Sequence, residues 1–320
     1  MMLLEGIYSG VVAARNSVYD RNIFRSRALR WPVISVGNIS AGGSGKTPFV
    51  IMLGQLFAGR GMSVDVLSRG YRRSTRGVLT VNPQGRAEEF GDEPLLIART
   101  LRCPVIVGEN RYAAGLAAEK AYQGTVSDGM HLLDDGFQHR QLHRDFDVVL
   151  LTSEDVDDKL LPSGRLREPL SSLSRADAVV VDKSFPLERL PRAGFQFWHA
   201  ERHLQIPKLE MPVVAFCGVA RPHRFFADLR AAGLDVVEEI AFRDHHRYTI
   251  ADVQRLTAAQ ARIPGSRLVT TEKDAINLGS HRSTLDPQVI PMEMRLADSH
   301  AALQYLLDTI AKRRASATQL

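Results

Sequence analysis

Cysteine is nearly absent from this chain. Cys103 and Cys217 are the only two in 320 residues, and they lie far apart in apolar runs. That excludes a disulfide framework and a CxxC pair, and it fits a reducing cytosol. Both cysteines read as buried fillers rather than nucleophiles. No window reaches the ~18 uninterrupted apolar residues of a membrane-spanning helix. The start of the chain lacks the basic n-region, long apolar stretch and small-residue cleavage site of a secretory signal, so no cleavage is expected. Aromatic residues make up only 7%. They are not interleaved with basic ones as in a nucleic-acid module, so no nucleic-acid partner is expected. Internal repeats and long low-complexity tracts are also missing.

What is present is an ordinary globular composition, 44% hydrophobic and 24% charged. The length suggests two domains. A formal net charge of +5 suits anionic partners without choosing among them. From Trp31 onward, short apolar runs alternate with helical patterns. Strands are expected at Val33–Val36, Val64–Leu67, Val105–Val107, Met130–Leu133, Val148–Leu151 and Ala178–Val181, with helices near 47–59, 92–101 and 111–122. This reads as an α/β fold, a mostly parallel sheet sandwiched by helices. The Pro-containing stretch Ile206–Pro212 looks like a linker to a second, smaller α/β unit. Its expected strands are Val213–Phe216, Val236–Ile240 and Leu268–Thr270, with helices near 222–232 and 250–262. The expected divisions are 1–30 for an N-terminal helix and basic flank, 31–205 for the core, 206–295 for the smaller unit, and 296–320 for a helix docking back. Residues 313–320 read as frayed.

The sharpest motif is VISVGNISAGGSGKTP, residues 33–48. A short apolar strand runs into a glycine-rich turn, and Lys46 and Thr47 then open a helix that Pro48 helps to start. This is the context a P-loop needs. Gly42, Gly43 and Gly45 let backbone N–H groups face phosphate oxygens, and the helix N-terminus adds positive dipole. Lys46 would reach the β- and γ-phosphates, and the Thr47 hydroxyl can coordinate Mg²⁺. Ser40 stands where the usual pattern begins with glycine.

Further segments suit phosphoryl transfer. Asp134 and Asp135 close an apolar strand, where P-loop enzymes hold Mg²⁺, and two adjacent acids repel unless a cation offsets them. Phe90-Gly-Asp-Glu-Pro94 opens a helix. Asp92 is there either an N-cap or a base for an attacking hydroxyl, and the sequence leaves both open. The loop Ser68–Arg76 carries four arginines able to grip an anion. Leu161–Pro169, with Arg165, Arg167 and Glu168, suits a lid whose arginine offsets phosphoryl charge. Asp244, His245 and His246 concentrate in the second unit, as an Asp–His pair or a surface turn. His139 and His143 have zinc-pair spacing but no third ligand nearby, and read as polar or substrate-lining residues.

At the N-terminus, Leu4, Ile7, Tyr8, Val11, Val12, Val18, Tyr19 and Ile23 recur at helical spacing, and Arg15, Arg21, Arg25, Arg27 and Arg30 follow. Such a helix either lies in a membrane interface or packs on the protein's own core.

Taken in order, VGNISAGGSGKTP, LSRGYRR, GDEP, LLDDGFQHR, GRLREPL, RAD, FRDHHRYT and VTTEKDA resemble the tetraacyldisaccharide 4′-kinases, the lipid A kinases. The matching stretches run from about residue 33 to 275. The family tolerates a non-glycine at the position of Ser40. The resemblance implies a P-loop core, a smaller C-terminal α/β domain and a membrane-seating N-terminal helix. It implies transfer of the γ-phosphate of ATP to the 4′-hydroxyl of a tetraacylated glucosamine disaccharide 1-phosphate. Ser40, Ala41, Gly42, Gly43, Ser44, Gly45, Lys46 and Thr47 would then bind ATP. Asp92 would be the base, paired with His245 across the domain cleft. Glu93, Asp134 and Asp135 would contact Mg²⁺ or nucleotide, and Arg167 and Glu168 would lie near the phosphates. The expected setting is the cytoplasmic face of the inner membrane of a Gram-negative bacterium, as a monomer. The alternative from another class is a P-loop ATPase or GTPase switch or assembly factor. The NKxD-type guanine motif is not matched by Thr271-Glu-Lys-Asp274 or Asp182-Lys183. A soluble small-molecule kinase is a third reading.

Overall fold

The structure is a computed structural model that describes residues 2–21, 23–122, 128–190 and 194–318. Apolar, β-branched runs form β1 (Val33–Asn38), β2 (Ser63–Ser68), β3 (Leu79–Thr80), β4 (Val105–Val107), β5 (Gly129–Asp134), β6 (Phe146–Leu150), β7 (Ala178–Val181) and β8 (Gln196–Leu204). The chain then builds β9 (Val213–Cys217), β10 (Val236–Ala241), β11 (Arg267–Thr271) and β12 (Gln288–Ile290), and returns through β13 (Met292–Leu296). Two sheets result, a large one in the order β13-β8-β7-β6-β1-β5-β2-β4-β3 and a small one in the order β10-β9-β11-β12.

All pairs are parallel except β3 with β4 and β13 with β8. Parallel strands need covering on both faces, which is why β1 is buried at every position. The helices are α1 (Met2–Asp20), α2 (Lys46–Gly59), α3 (Asp92–Leu101), α4 (Arg111–Ala121), α5 (Pro222–Ala231), α6 (Ile250–Ala261), α7 (Glu272–Asn277) and α8 (Ser299–Thr318). Phe49, Leu53 and Phe57 of α2 are fully buried in the main core beside Ile34, Val36 and Leu132. Truncating any of these three would leave a cavity costing about 3–5 kcal/mol.

The strand β8 does two jobs. Gln196 to His199 pair with β7, and Ala200 to Leu204 pair antiparallel with β13. β13 thus begins inside the stretch 206–295 and crosses its end at Leu296, yet it belongs to the large sheet, where it pairs antiparallel with β8. The C-terminal segment is also more ordered than frayed. α8 continues to Thr318, since Arg313 holds Asp177 and Arg314 holds Asp145, at 2.7 Å for the latter. Residues 319 and 320 lie outside the described residues.

α1 docks by a mixed face that carries Tyr8, Val12, Asn16 and Tyr19. The Tyr8 hydroxyl donates to the Arg167 carbonyl at 3.0 Å, Asn16 Nδ2 donates to Glu168 at 3.0 Å, and Arg15 donates to the Gln138 carbonyl. Leu4, Ile7 and Val11 are left 57–62% exposed on one stripe. Tyr8, Val12, Val18 and Tyr19, from the same apolar pattern, are half-buried, so the helix packs on the protein along one side and leaves the Leu4–Ile7–Val11 stripe open. No helix among the described residues is long and apolar enough to cross a membrane.

Candidate active site

The loop between β1 and α2 has the backbone its glycines demand. Gly42, Gly43 and Gly45 have φ of +88°, +24° and +85°, a region costly for other residues. Ser40 has no such φ. It is fully buried in extended pairing with Leu166, and Asn38 Nδ2 lies 3.4 Å from its Oγ. Glycine is therefore unnecessary there. Ala41 N–H donates to the Arg165 carbonyl at 2.7 Å, and Arg167 N–H donates to the Ile39 carbonyl at 2.7 Å. The segment expected as a lid is thus stitched to the phosphate loop. From the smaller unit, Ala220 and Arg221 lean on the same loop; a Cβ on Gly42 would meet the Ala220 Cβ at 2.8 Å.

Lys46 Nζ lies 3.1 Å from Asn38 Oδ1 and 3.4 Å from Asp135 Oδ1. Arg167 reaches the other Asp135 oxygen at 2.9 Å. Burial alone would raise the Asp135 carboxyl, but Lys46 and Arg167 outweigh it and hold it down at about 2. Asp134 is the opposite case. It is buried, accepts a hydrogen bond from Ser68 at 3.0 Å, and is pushed up to about 7 by burial and the charges of Glu93 and Asp135. Glu93 faces Lys273 at 3.3 Å. Two of the three acids therefore already face cations, and Asp134 is the one whose charge a metal ion would restore.

Asp92 is not an N-cap. Gly91 caps α3, and Asp92 is its first helical residue. Its side chain turns across to the smaller unit. His245 Nδ1 lies 2.8 and 3.0 Å from the two oxygens, and Asn277 Nδ2 donates at 2.9 Å. Burial pushes this carboxyl up, but the His245 hydrogen bond, the Lys273 charge and Asn277 together hold it far below the usual range. His246 is turned elsewhere: its Nε2 lies 3.0 Å from Asp252, and its ring stacks on Phe242. Of the two histidines, His245 is the one that meets Asp92.

The same cleft, about 660 Å³, is lined by the loop 41–47 and by Glu93, Asp134, Asp135, Arg167, His245 and Lys273. Glu168 does not line it. That side chain is 1% exposed and is held by Arg175 at 2.7 Å and by Asn16 of α1. Part of the basic loop is engaged too, since Arg72 donates to the His245 carbonyl at 3.1 Å. Sequence reasoning passed over Lys273, Asn277 and Arg221. The signal for the first two was the VTTEKDA stretch, which carries a lysine and, one turn on, an asparagine.

The comparisons agree with this geometry. The profile of the family described as Tetraacyldisaccharide-1-P 4'-kinase matches residues 1–311. A tetraacyldisaccharide 4'-kinase from Koribacter versatilis is 44% identical, over 97% of this chain and 99% of that protein. One from Aquifex aeolicus is 37% identical over 87% and 89%. A crystal structure of Aquifex aeolicus LpxK in complex with ATP superposes with a TM-score of 0.76 at 33% identity, covering 97% of this chain and 98% of that one. With a nucleotide loop, an acidic strand end and the imidazole of a buried carboxylate–imidazole pair lining one cleft, and these relatives along nearly its whole length, the chain belongs to the tetraacyldisaccharide-1-P 4'-kinase family.

Proposed function

We propose that this protein transfers the γ-phosphoryl group of ATP to the 4′-hydroxyl of a tetraacylated glucosamine disaccharide 1-phosphate, a late step of lipid A assembly. One observation carries the reading: the phosphate-binding loop lines the same cleft as His245, whose Nδ1 meets the buried Asp92 just behind that wall. A nucleotide switch needs the first and has no use for the second. The names of the relatives supply the acceptor.

In this reading the amides of Gly42–Thr47 cradle the phosphates, since Ser40 is buried and the Ala41 N–H is already given to Arg165, and Lys46 leaves Asp135 to reach them. Arg167 and Lys46 spread positive charge over the transferring group, which is where most of this catalysis comes from. The residues suit Mg²⁺, because Thr47 and Asp134 offer hard oxygens and this ion takes one or two carboxylates rather than a full protein cage. When bound it would supply neutralising charge beside the phosphates. Asp92 orients the sugar hydroxyl. The oxygen–phosphorus bond forms as the bond to ADP breaks, and the hydroxyl proton passes to Asp92. A carboxylate held this low is a weak base, so orientation comes first and the proton leaves late, as the new bond makes the oxygen acidic. Glu168 anchors α1 rather than contacting nucleotide, while Glu93 lines the cleft beside Lys273, within reach of Mg²⁺ or nucleotide as expected.

The exposed Leu4–Ile7–Val11 stripe supports seating of α1 in the interface of the inner membrane, on its cytoplasmic face where ATP is found. The core 31–205 would carry nucleotide and the unit from 206 onward would supply His245; a monomer suffices, since both halves of the site come from one chain.

The test is labelled ATP offered to the full chain with the acylated disaccharide 1-phosphate in mixed micelles, or with water alone. Labelled lipid is expected, with little phosphate release when the lipid is omitted. Equal release in both arms would return the protein to the switch class.

A further inference from the structure

Beyond its charge near Asp92 and its pairing with Glu93, Lys273 has no step assigned above, yet it is held from several sides. It sits in the first turn of α7, and that turn is fixed from below. Asp274 accepts from Gly218 N–H at 2.8 Å, from the Tyr248 hydroxyl at 2.8 Å and from the Thr271 hydroxyl at 2.6 Å, and Thr271 Oγ1 in turn accepts from Asp274 N–H at 3.1 Å. The lysine is thereby aimed at the cleft. Its Nζ lies 3.2 Å from His245 Nε2, 3.3 Å from Glu93 Oε1 and 3.3 Å from Asp244 Oδ1, with Asp92 Oδ2 at 3.9 Å.

An ammonium has three hydrogens and no lone pair. Three acceptors within reach take one each. A hydrogen given to Nε2 requires a lone pair on that nitrogen, so the imidazole's proton sits on Nδ1, where it faces both oxygens of Asp92. Without the ammonium, the nearest charged neighbour of Nε2 is Asp244 Oδ2, at 3.8 Å. That carboxylate draws the proton to Nε2, and the Nδ1 lone pair is then turned against the Asp92 carboxylate.

We infer that Lys273 is a positioning residue for phosphoryl transfer, fixing the tautomer in which His245 donates to Asp92. Lys273, Asp244 and His245 all come from the smaller unit, so the tautomer is set before that unit meets Asp92. The inference rests on the Asp92–His245 reading of the site.

The direct test is the ¹⁵N imidazole spectrum of the labelled full chain, with His245→Gln identifying the signal. A neutral, Nδ1-protonated ring is expected in the native protein, and a ring protonated on Nε2 in Lys273→Met; a variant ring that keeps its Nδ1 proton overturns the inference. A native ring protonated on Nε2 overturns the inference whatever the variants do. In kinetics, Lys273→Met is expected to lose about a hundredfold in kcat, with the KM for ATP moving by less than about threefold. Lys273→Cys should behave alike until 2-bromoethylamine, losing bromide to the thiolate, rebuilds an ammonium at the same reach. About tenfold recovery is expected, and none after iodoacetamide. Burial pushes the Cys103 and Cys217 thiols up, so they react slowly, and the treated native chain controls for them. Equal recovery with both reagents, or a raised KM with kcat unchanged, overturns the inference. Asp92→Ala separates the two readings. If it turns over normally, the base assignment fails; if it is inactive while Lys273→Met is normal, Lys273 alone is misassigned.

Discussion

At the scale of single residues, the site is a contest between burial and paired charge. Asp134 and Asp135 are neighbours, yet one is held near 2 and the other near 7, because only Asp135 meets Lys46 and Arg167 directly. The raised carboxyl has a consequence for stability. The folded chain binds a proton at Asp134 more tightly than the unfolded chain does, so that contribution is full below about pH 4 and is lost as pH rises toward 7. Asp134→Asn should therefore stabilise the metal-free protein above pH 7, by about 1–2 kcal/mol, and not below pH 4. Thermal melts at the two pH values check this; equal shifts at both would mean that the charge of Asp134 is not the source. Asp92 has the opposite sign. Its partners lie at positions 245, 273 and 277, so nothing in the local GDEP stretch announces them, and the capping reading was open until the chain was folded.

At the scale of elements, the strands that hold the nucleotide loop were legible because they are continuous apolar runs buried on both faces. β8 was not, since its exposed and buried positions do not alternate cleanly and it serves two partners of opposite direction. α7 has only six residues, too few for a period to show, although it presents both Lys273 and Asn277. α1 was legible as amphipathic, but not which way it faces; its docking through Tyr8, Arg15 and Asn16 decides that. Replacing Leu4, Ile7 and Val11 with Ser should lower partitioning onto anionic vesicles about tenfold or more, given ~25 cal/mol per Å² of apolar surface withdrawn from water. The melting temperature should stay within about 2 °C, since exposed substitutions cost little. Vesicle co-sedimentation and a melt decide it: unchanged partitioning would remove the membrane role from this stripe.

At the scale of the molecule, the two units touch through charge as well as through Asp92. Arg221 is buried and reaches Thr152 at 3.1 Å, Glu154 at 3.4 Å and Asp155 at 3.5 Å, while Arg224 meets Glu154. Arg221 comes from the turn that leans on Gly42 and Gly43 and Arg224 from the first turn of α5 behind it, so the contact between the units also supports the phosphate loop. Replacing both with Gln should raise the KM for ATP by about tenfold, a loss of about 1.4 kcal/mol of binding, and increase the radius of gyration in solution scattering. An unchanged KM with an unchanged radius would show that the contacts are incidental.

The antiparallel pair β8 and β13 has one more implication. Leu204 and Met292 face each other across it, so everything from Gln205 to Pro291 leaves and re-enters the large sheet through adjacent doorways. The smaller unit is an insert in a hairpin rather than a tail. Lengthening, grafting or exchanging it disturbs no strand beneath the nucleotide loop, so a lineage can retune the histidine-bearing half as long as the turn at Ala220 and Arg221 still meets that loop.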